Sequence, residues 1–449
     1  MSDAGPATGG PRLLLVARRF APHSDPTAYR WLRFVTALTK RGWQVEVLTV
    51  VAQLVEHYVD ARLLEEIPAS VLVHRVDPGP IEQRVWRAKA RKGGAPRVGD
   101  VGAPDTTPRR GPRALAREFV RRAYEALTPM VSPDPTVEWL PWAVPAGRRL
   151  LRERRFDLVA SSSSPFSSHA AARAIVRGTG VPWVGDFSDP LADNVFIRRP
   201  GWRRAIDRRL ERDWLTTMDG VIVPVREMVE LFRARYPGID GGKLHVVPYG
   251  YPEELYETLP ARPLEGFTIV HTGVFYPGPR DPTPMFLALA KVKDLPLRVH
   301  HAGGMTPEYF RVLEREGVAG RFEHHGYLGR ADVVALQKSA TCLIAIGNRG
   351  GLQLPGKLLD YIGAKRPILM LKNDAHDIGA DLVASTRTGL VVDNAPDAIA
   401  AGIRQLYGWW RDGSLDSRFS LGAGGEYAWA HQEARLIEVL ERYRGRTGG

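Results

Sequence analysis

Short apolar, β-branched runs alternate with helical patterns along most of this chain. The runs fall at Leu13–Ala17, Gln44–Val51, Val71–Val76, Phe156–Ser161, Pro182–Asp186, Asp219–Val223 and Leu244–Pro248, then at Phe267–Gly273, Leu297–Ala302, Phe322–Gly326, Thr341–Ile346, Pro367–Leu371 and Gly389–Val392. Helical spacing fits between many of them, as at Ala28–Arg41, Ser168–Gly178, Ala205–Met218, Thr283–Val292, Ala331–Lys338 and Lys357–Ala364. Strands joined through helices run parallel, and the helices cover both faces of the sheet. The alternation occurs in two series, separated by Tyr249–Gly266, which carries three prolines and no clear period and reads as a linker. At 449 residues the chain exceeds what one core usually holds. The expectation is an α/β protein with two Rossmann-like, doubly wound domains facing across a cleft. They cover residues 11–250 and 265–424, and a C-terminal helix over 425–446 crosses back to the first.

Ligands of such sheets sit beyond the C-terminal strand ends, so chemistry is sought there. Several classes drop out. Gly351–Lys357 has P-loop spacing, but Leu358 replaces the magnesium-binding hydroxyl. No G-x-G-x-x-G follows the first strand, and no H-E-x-x-H, G-x-S-x-G or Asp-x-Asp occurs. Cys342 is the single cysteine, which excludes an intrachain disulfide and fits a reducing, cytoplasmic setting. His300, His301, His324 and His325 form two pairs at strand ends with no accompanying ligand set, so no metal is assigned.

The net charge is +12, and Arg84–Arg122 alone carries twelve Lys/Arg against three Asp/Glu. This segment reads as a solvated loop or as a peripheral contact with an anionic membrane on the inner face. It lacks the interleaved aromatics of a nucleic-acid surface, so no nucleic-acid partner is expected.

The strongest constellation is Gly350–Pro367. Pro355 and Gly356 open a helix whose first N–H groups and dipole face whatever lies before it, and Lys357 adds a full charge: an anion cradle. Asp360, one turn on, can accept hydrogen bonds from ribose hydroxyls. Gly273 ends a strand and opens a loop carrying Arg280, whose guanidinium suits phosphate. Tyr327 and Leu328 follow another strand, placed to receive a flat base or to pack under a loop. In the first half, His23, Ser24 and Asp25 precede a helix, and Ser161–His169 is a polar loop whose serines suit helix capping. Asp186 and Asp189 follow a buried strand, either as capping groups or as carboxylates that orient hydroxyls or act as a base.

Taken together, these residues resemble retaining glycosyltransferases of family 4 with the GT-B fold, over roughly residues 11–440. Arg41–Thr49 is similar to that family's R-G-x-x-V-x-V-L-T, and Trp139–Ala143 and Ser161–Asn194 resemble a subgroup with S-P-P-x-S-x-H and D-F-R-D-P-W. Asp219–Val225 followed by Val246–Tyr251, and Pro355–Leu369, resemble its later motifs. The subgroup is similar to cell-envelope and natural-product enzymes. The resemblance implies a nucleotide-diphosphate sugar (UDP-, GDP- or dTDP-linked) as donor substrate, with no further cofactor. Arg280 and Lys357 would meet the diphosphate and Asp360 the ribose. It also implies an acceptor near His23, Ser24 and Asp25, with His169, Asp186 or Asp189 positioning acceptor or sugar. Leu352 stands where the family has the first Glu of E-x7-E, and Tyr249 where Asn is usual. A pseudo-glycosyltransferase, a sugar-nucleotide epimerase and an inactive nucleotide-sugar-binding partner remain as alternatives.

Overall fold

The computed structural model describes residues 9–51, 59–80, 82–84, 133–194, 199–275, 278, 280–348 and 352–445. The basic segment beyond Arg84, and Gly350 and Gly351, lie outside the described residues. The described chain groups into two compact units. Unit 1 runs to Pro248 and takes in the chain end from Glu433, and unit 2 covers Tyr249–Gln432.

Unit 1 is built on a seven-stranded sheet of β1 (Arg12–Val16), β2 (Gln44–Val50), β3 (Leu72–Val76), β4 (Leu158–Ser162), β5 (Trp183–Asp186), β6 (Gly220–Val223) and β7 (Leu244–Val246). Their order is β3-β2-β1-β4-β5-β6-β7, and every pairing is parallel. Its helices are α1 (Pro26–Lys40), α2 (Leu140–Glu153), α3 (Ser167–Val176), α4 (Gly201–Thr217) and α5 (Arg226–Arg235). Unit 2 repeats the plan with α6 (Glu253–Thr258), β8 (Phe267–Thr272), α7 (Thr283–Lys291), β9 (Leu297–Ala302), α8 (Pro307–Arg315), β10 (Phe322–Gly326), α9 (Arg330–Ser339), β11 (Cys342–Ile346), α10 (Gly356–Ala364), β12 (Ile368–Lys372), α11 (Ile378–Thr386), β13 (Gly389–Asp393) and α12 (Pro396–Arg411). Its six strands are also all parallel, in the order β10-β9-β8-β11-β12-β13. Helix α13 (Trp429–Tyr443) ends the described chain.

All thirteen expected strands form. Alternation along them explains why a continuous apolar run is needed. On β11, Cys342, Ile344 and Ile346 join one core cluster while Leu343 and Ala345 join another, and β12 divides Leu369 and Leu371 from Ile368 and Met370 in the same way. Tyr249–Gly266, expected as an irregular linker, instead holds α6. Its Tyr256 is buried and its hydroxyl donates to Gln337 Oε1 at 2.5 Å. Glu253 and Glu254 in the first turn favour this short helix, and Glu253 also accepts from the backbone of Trp429 and Ala430 at the start of α13.

Strand order reverses between β1 and β4 in unit 1, and between β8 and β11 in unit 2. Crossovers on either side of these points leave opposite faces, which opens a crevice at the C-terminal strand ends. In unit 1 a buried ion pair ties α1 into this region. Arg30 Nε and Nη2 reach the two oxygens of Asp186 at 3.1 and 3.4 Å, and its other N–H groups donate to the carbonyls of Val247 and Pro248 at 2.7 Å. Trp31 Nε1 adds a donor to Asp186 at 2.8 Å. Both charges are almost fully buried, so removing one strands the other. Arg30→Met is expected to lower unit 1 stability by about 3–5 kcal/mol in urea unfolding; a change below about 1 kcal/mol, the range of an exposed pair, would contradict the buried-strut reading.

Candidate active site

At the unit 2 switch point, three neighbouring strands end at glycines with positive φ: Gly273 (109°) after β8, Gly303 (142°) after β9 and Gly326 (66°) at the end of β10. Backbone bonds lace them together, from Gly273 N to Ala302 O and from Gly303 N to Gly326 O, each 2.7 Å. A Cβ at Gly303 would lie 2.1 Å from Gly273 O, so only glycine fits there.

Helix α10 is held to β8 by Tyr361, whose hydroxyl accepts from Thr272 N at 2.8 Å. Thr272 Oγ1 accepts from Gln337 Nε2 at 2.8 Å, and Gln337 accepts from Tyr256. This buried network fixes the residue next to Gly273. Lys357 lies one turn before Tyr361 on the same helix face, which brings its ammonium over Gly273. A Cβ at Gly273 would approach Lys357 Nζ to 3.1 Å, so the missing side chain makes room for the charge. Lys357 Nζ donates to His271 Nε2 at 3.0 Å. His271 is buried and stacked on Phe275, and desolvation, with Lys357 beside it, holds its pKa well below the usual histidine value. It is therefore a neutral acceptor.

Desolvation, and next the like charge of Arg280, lower the Lys357 pKa to about 7. Arg280 Nε donates to Asn348 Oδ1, and Asn348 Nδ2 in turn donates to Gln353 O at 2.7 Å, bracing the approach to α10. Pro355 precedes the helix without a side-chain cap, and Gly356 faces open space. Lys357 and Arg280 thus lie near a helix start that its N-cap residue leaves without a side-chain hydrogen bond, an arrangement that favours an anion. Asp360 follows on the same helix; burial raises its pKa to about 6, and Arg330 partly offsets this. The Tyr327 hydroxyl lies against Gly304, where a Cβ would come within 2.5 Å of it, and Leu328 beside it is half-buried. Gly273, Arg280, Pro355, Gly356, Lys357 and Asp360 therefore gather at one switch point, and Tyr327 and Leu328 stand at the same strand edge. Sequence reasoning missed His271, Asn348, Gln337 and Tyr361, which are anonymous polar residues until the sheet sets their neighbours.

Unit 1 distributes its candidates differently. His169 is fully buried, with Nδ1 on Ser161 Oγ at 2.8 Å and its ring against Phe187, Trp183 and Trp214. Desolvation drops its pKa to about 3, so it is a neutral core residue. Asp186 is committed to Arg30 and Trp31, which removes it from service as a base. Asp25 caps α1, accepting from Thr27 N and Ala28 N at 3.1 and 3.2 Å. His23 is buried with Nδ1 on Phe20 O at 3.0 Å, while Ser24 is exposed. Asp189 stays half-buried in the turn after β5. The expected capping by Ser161–Ser164 does not occur. Ser161 instead joins His169 and accepts from Trp183 Nε1, and Asp134 accepts from Ser167 N at the start of α3. Ser162 Oγ and Ser188 Oγ are buried with no hydrogen-bond partner among the described residues.

Residues 27–250 match the family model described as "Glycosyl transferase 4-like domain". Solved structures extend the likeness over both units. The chain is similar to a sucrose-phosphate synthase from Thermosynechococcus elongatus (13% identity, 96% of this chain and 99% of that one, TM-score 0.61) and to a glycosyltransferase from Rickettsia africae ESF-5 (10%, 97% and 99%, TM-score 0.64). It is also similar to a putative UDP-N-acetylglucosamine 2-epimerase from Listeria monocytogenes (12%, 96% and 96%, TM-score 0.57). At such identities the likeness is one of fold, the two-domain α/β GT-B fold. No curated protein sequence matches the chain. The matched stretch comprises most of unit 1, whereas Arg280 and Lys357 lie outside it in unit 2.

The buried ammonium has a stability consequence. Below pH about 7 Lys357 is charged in both folded and unfolded chains, and the folded state bears the desolvation. Between that value and the ordinary lysine range the unfolded chain binds more protons, so this residue's penalty fades as pH rises. Lys357→Met is expected to stabilise the ligand-free protein by about 1–3 kcal/mol near pH 6, with the gain vanishing above about pH 10. Thermal unfolding across pH checks this; destabilisation at pH 6 would show that the ammonium is satisfied in the free protein.

Proposed function

We propose that this protein is a glycosyltransferase that moves a sugar from a nucleotide-diphosphate sugar, bound by unit 2, to a hydroxyl or amine acceptor presented by unit 1, with retention of anomeric configuration. The observation that carries the reading is Lys357 over Gly273, within electrostatic reach of Arg280, at the start of α10 where Pro355 supplies no side-chain cap. A pyrophosphate laid there would meet two cations, the N–H groups of Gly356 and Lys357, and a glycine floor that lets it approach the backbone. Asp360, with its pKa raised by burial, gains from accepting hydrogen bonds from ribose hydroxyls. Tyr327 and Leu328 offer an apolar rest for the base.

In the reaction, negative charge grows on the departing diphosphate as the bond to the anomeric carbon lengthens. Fixed cations and amides lower that barrier because they need no reorganisation. A leaving-phosphate oxygen takes the acceptor proton on the same face in this scheme, so Asp186 and His169 are not needed as bases, consistent with their burial. Asp189, Ser162 and Ser188, at the strand ends of unit 1, are the groups we assign to acceptor binding; Ser24 is the exposed member of the first loop.

A second reading is sugar-nucleotide epimerisation, favoured by the epimerase among the fold relatives. It uses the same donor site and no acceptor, so products separate the two. Incubation with UDP-, GDP- and dTDP-sugars, with and without an acceptor panel and analysed by mass spectrometry, is expected to give acceptor-dependent glycoside. An acceptor-independent isomer would favour the epimerase. Lys357→Ala is expected to lower turnover by about tenfold or more.

Nucleotide binding should also be pH-linked. A diphosphate prefers charged Lys357, so binding takes up a proton above pH about 7. Affinity for the preferred nucleoside diphosphate is expected to fall by up to about tenfold per pH unit above that point. Calorimetry in buffers of different ionisation enthalpy checks this, and pH-independent affinity, or unchanged affinity in Lys357→Met, would remove Lys357 from the site.

A further inference from the structure

One cluster in unit 2 plays no part in the nucleotide site. His300 on β9 stands directly opposite Glu323 on the edge strand β10. The register slips between His324 and Gly326, leaving His325 as the extra residue of a β-bulge. A bulge re-aims the side chain it carries. Here it turns the His325 ring parallel to His300, with an interplanar angle of 8° and Nε2 3.1 Å from His300 Nδ1. Glu323 Oε2 lies 3.4 Å from the same Nδ1, and Glu323 Oε1 lies 3.7 Å from His325 Nδ1. One ligand atom from each residue can be chosen so that all three fall within 4.8 Å of one another.

We propose that His300, Glu323 and His325 form a binding site for a zinc-class divalent metal ion, which clips the edge strand β10 to β9. Ligand atoms about 2.0–2.1 Å from a tetrahedral ion are about 3.3 Å apart, which the 3.1 and 3.4 Å separations bracket. Two imidazoles and one carboxylate are the ligand types this ion takes, and water fills the fourth position. His300 is buried, which favours the neutral ring that a metal requires. Arg298, on the same strand, opposes a cation, and the Glu323 carboxylate offsets it. Without metal, the two rings face each other at hydrogen-bond distance; the ion replaces the proton they share and releases it. The neighbouring rings of His271, His301 and His324 belong to the opposite face of these strands and supply no ligand. The two histidine pairs visible in the sequence thus divide between the faces, and Glu323 is the partner that pattern reading overlooked.

The test uses the full chain without a tag, stripped with chelator and titrated with Co(II) and then Zn(II). One equivalent of cobalt is expected to give the intense visible band of a tetrahedral site, which zinc then bleaches, and zinc is expected to raise the melting temperature. Glu323→Gln and His325→Ala, at the more exposed positions, are expected to keep the chelator-treated melting temperature and to weaken cobalt binding by about tenfold or more each. Absence of stoichiometric binding at micromolar metal would overturn the proposal. So would wild-type cobalt affinity in both variants.

Discussion

A parallel sheet brings the C-terminal ends of all its strands to one edge, and everything functional in this molecule depends on that geometry. Parallel strands need a crossover that returns the chain, most often a helix, so most C-terminal ends meet a loop and then a helix start. At the point where the strand order reverses, neighbouring helices depart on opposite faces and the loops part. Unit 2 uses the point between β8 and β11 for a cluster of positive charge. The cluster is costly to the free protein, since desolvation and like charge both press on Lys357. Such a cost is what the proposed diphosphate site would offset, with the reorganisation done before the ligand arrives.

The same geometry in unit 1 is put to another use. There the candidate groups are engaged within the unit: Arg30 with Asp186 and two carbonyls, Asp25 with the first turn of α1, and neutral His169 with Ser161. The hydroxyls of Ser162 and Ser188 are buried with no hydrogen-bond partner among the described residues, and Ser24 is exposed. The basic segment after Arg84 keeps its place as a proposed contact with anionic lipid, and no described helix is long and apolar enough to cross a membrane.

The local patterns were informative where a single residue type answers a single physical need. Gly273 sits at a φ of 109° that other residues rarely adopt, with Lys357 Nζ beside it, and Pro355 with Gly356 marked the start of α10. The same style of reading misplaced His169 and Asp186. A histidine in a polar loop and an aspartate at a strand end look alike whether they face solvent or the core. The irregular composition of Tyr249–Gly266 likewise concealed α6, whose order comes from burying Tyr256 against α9 and not from its own propensity.

By itself the sequence determined the element pattern, the two doubly wound sheets and the residues eligible for the proposed phosphate site, because hydrophobic period and helix-start chemistry are local properties. Only the tertiary structure decided which eligible residues meet. His271 beneath Lys357, Asn348 on Arg280, Arg30 against Asp186 and Glu323 beside two imidazoles are pairings between distant segments. Those partners follow from strand register and order, and burial then sets which groups stay charged, since the energy of a charge depends on everything packed around it and not on its neighbours in the chain.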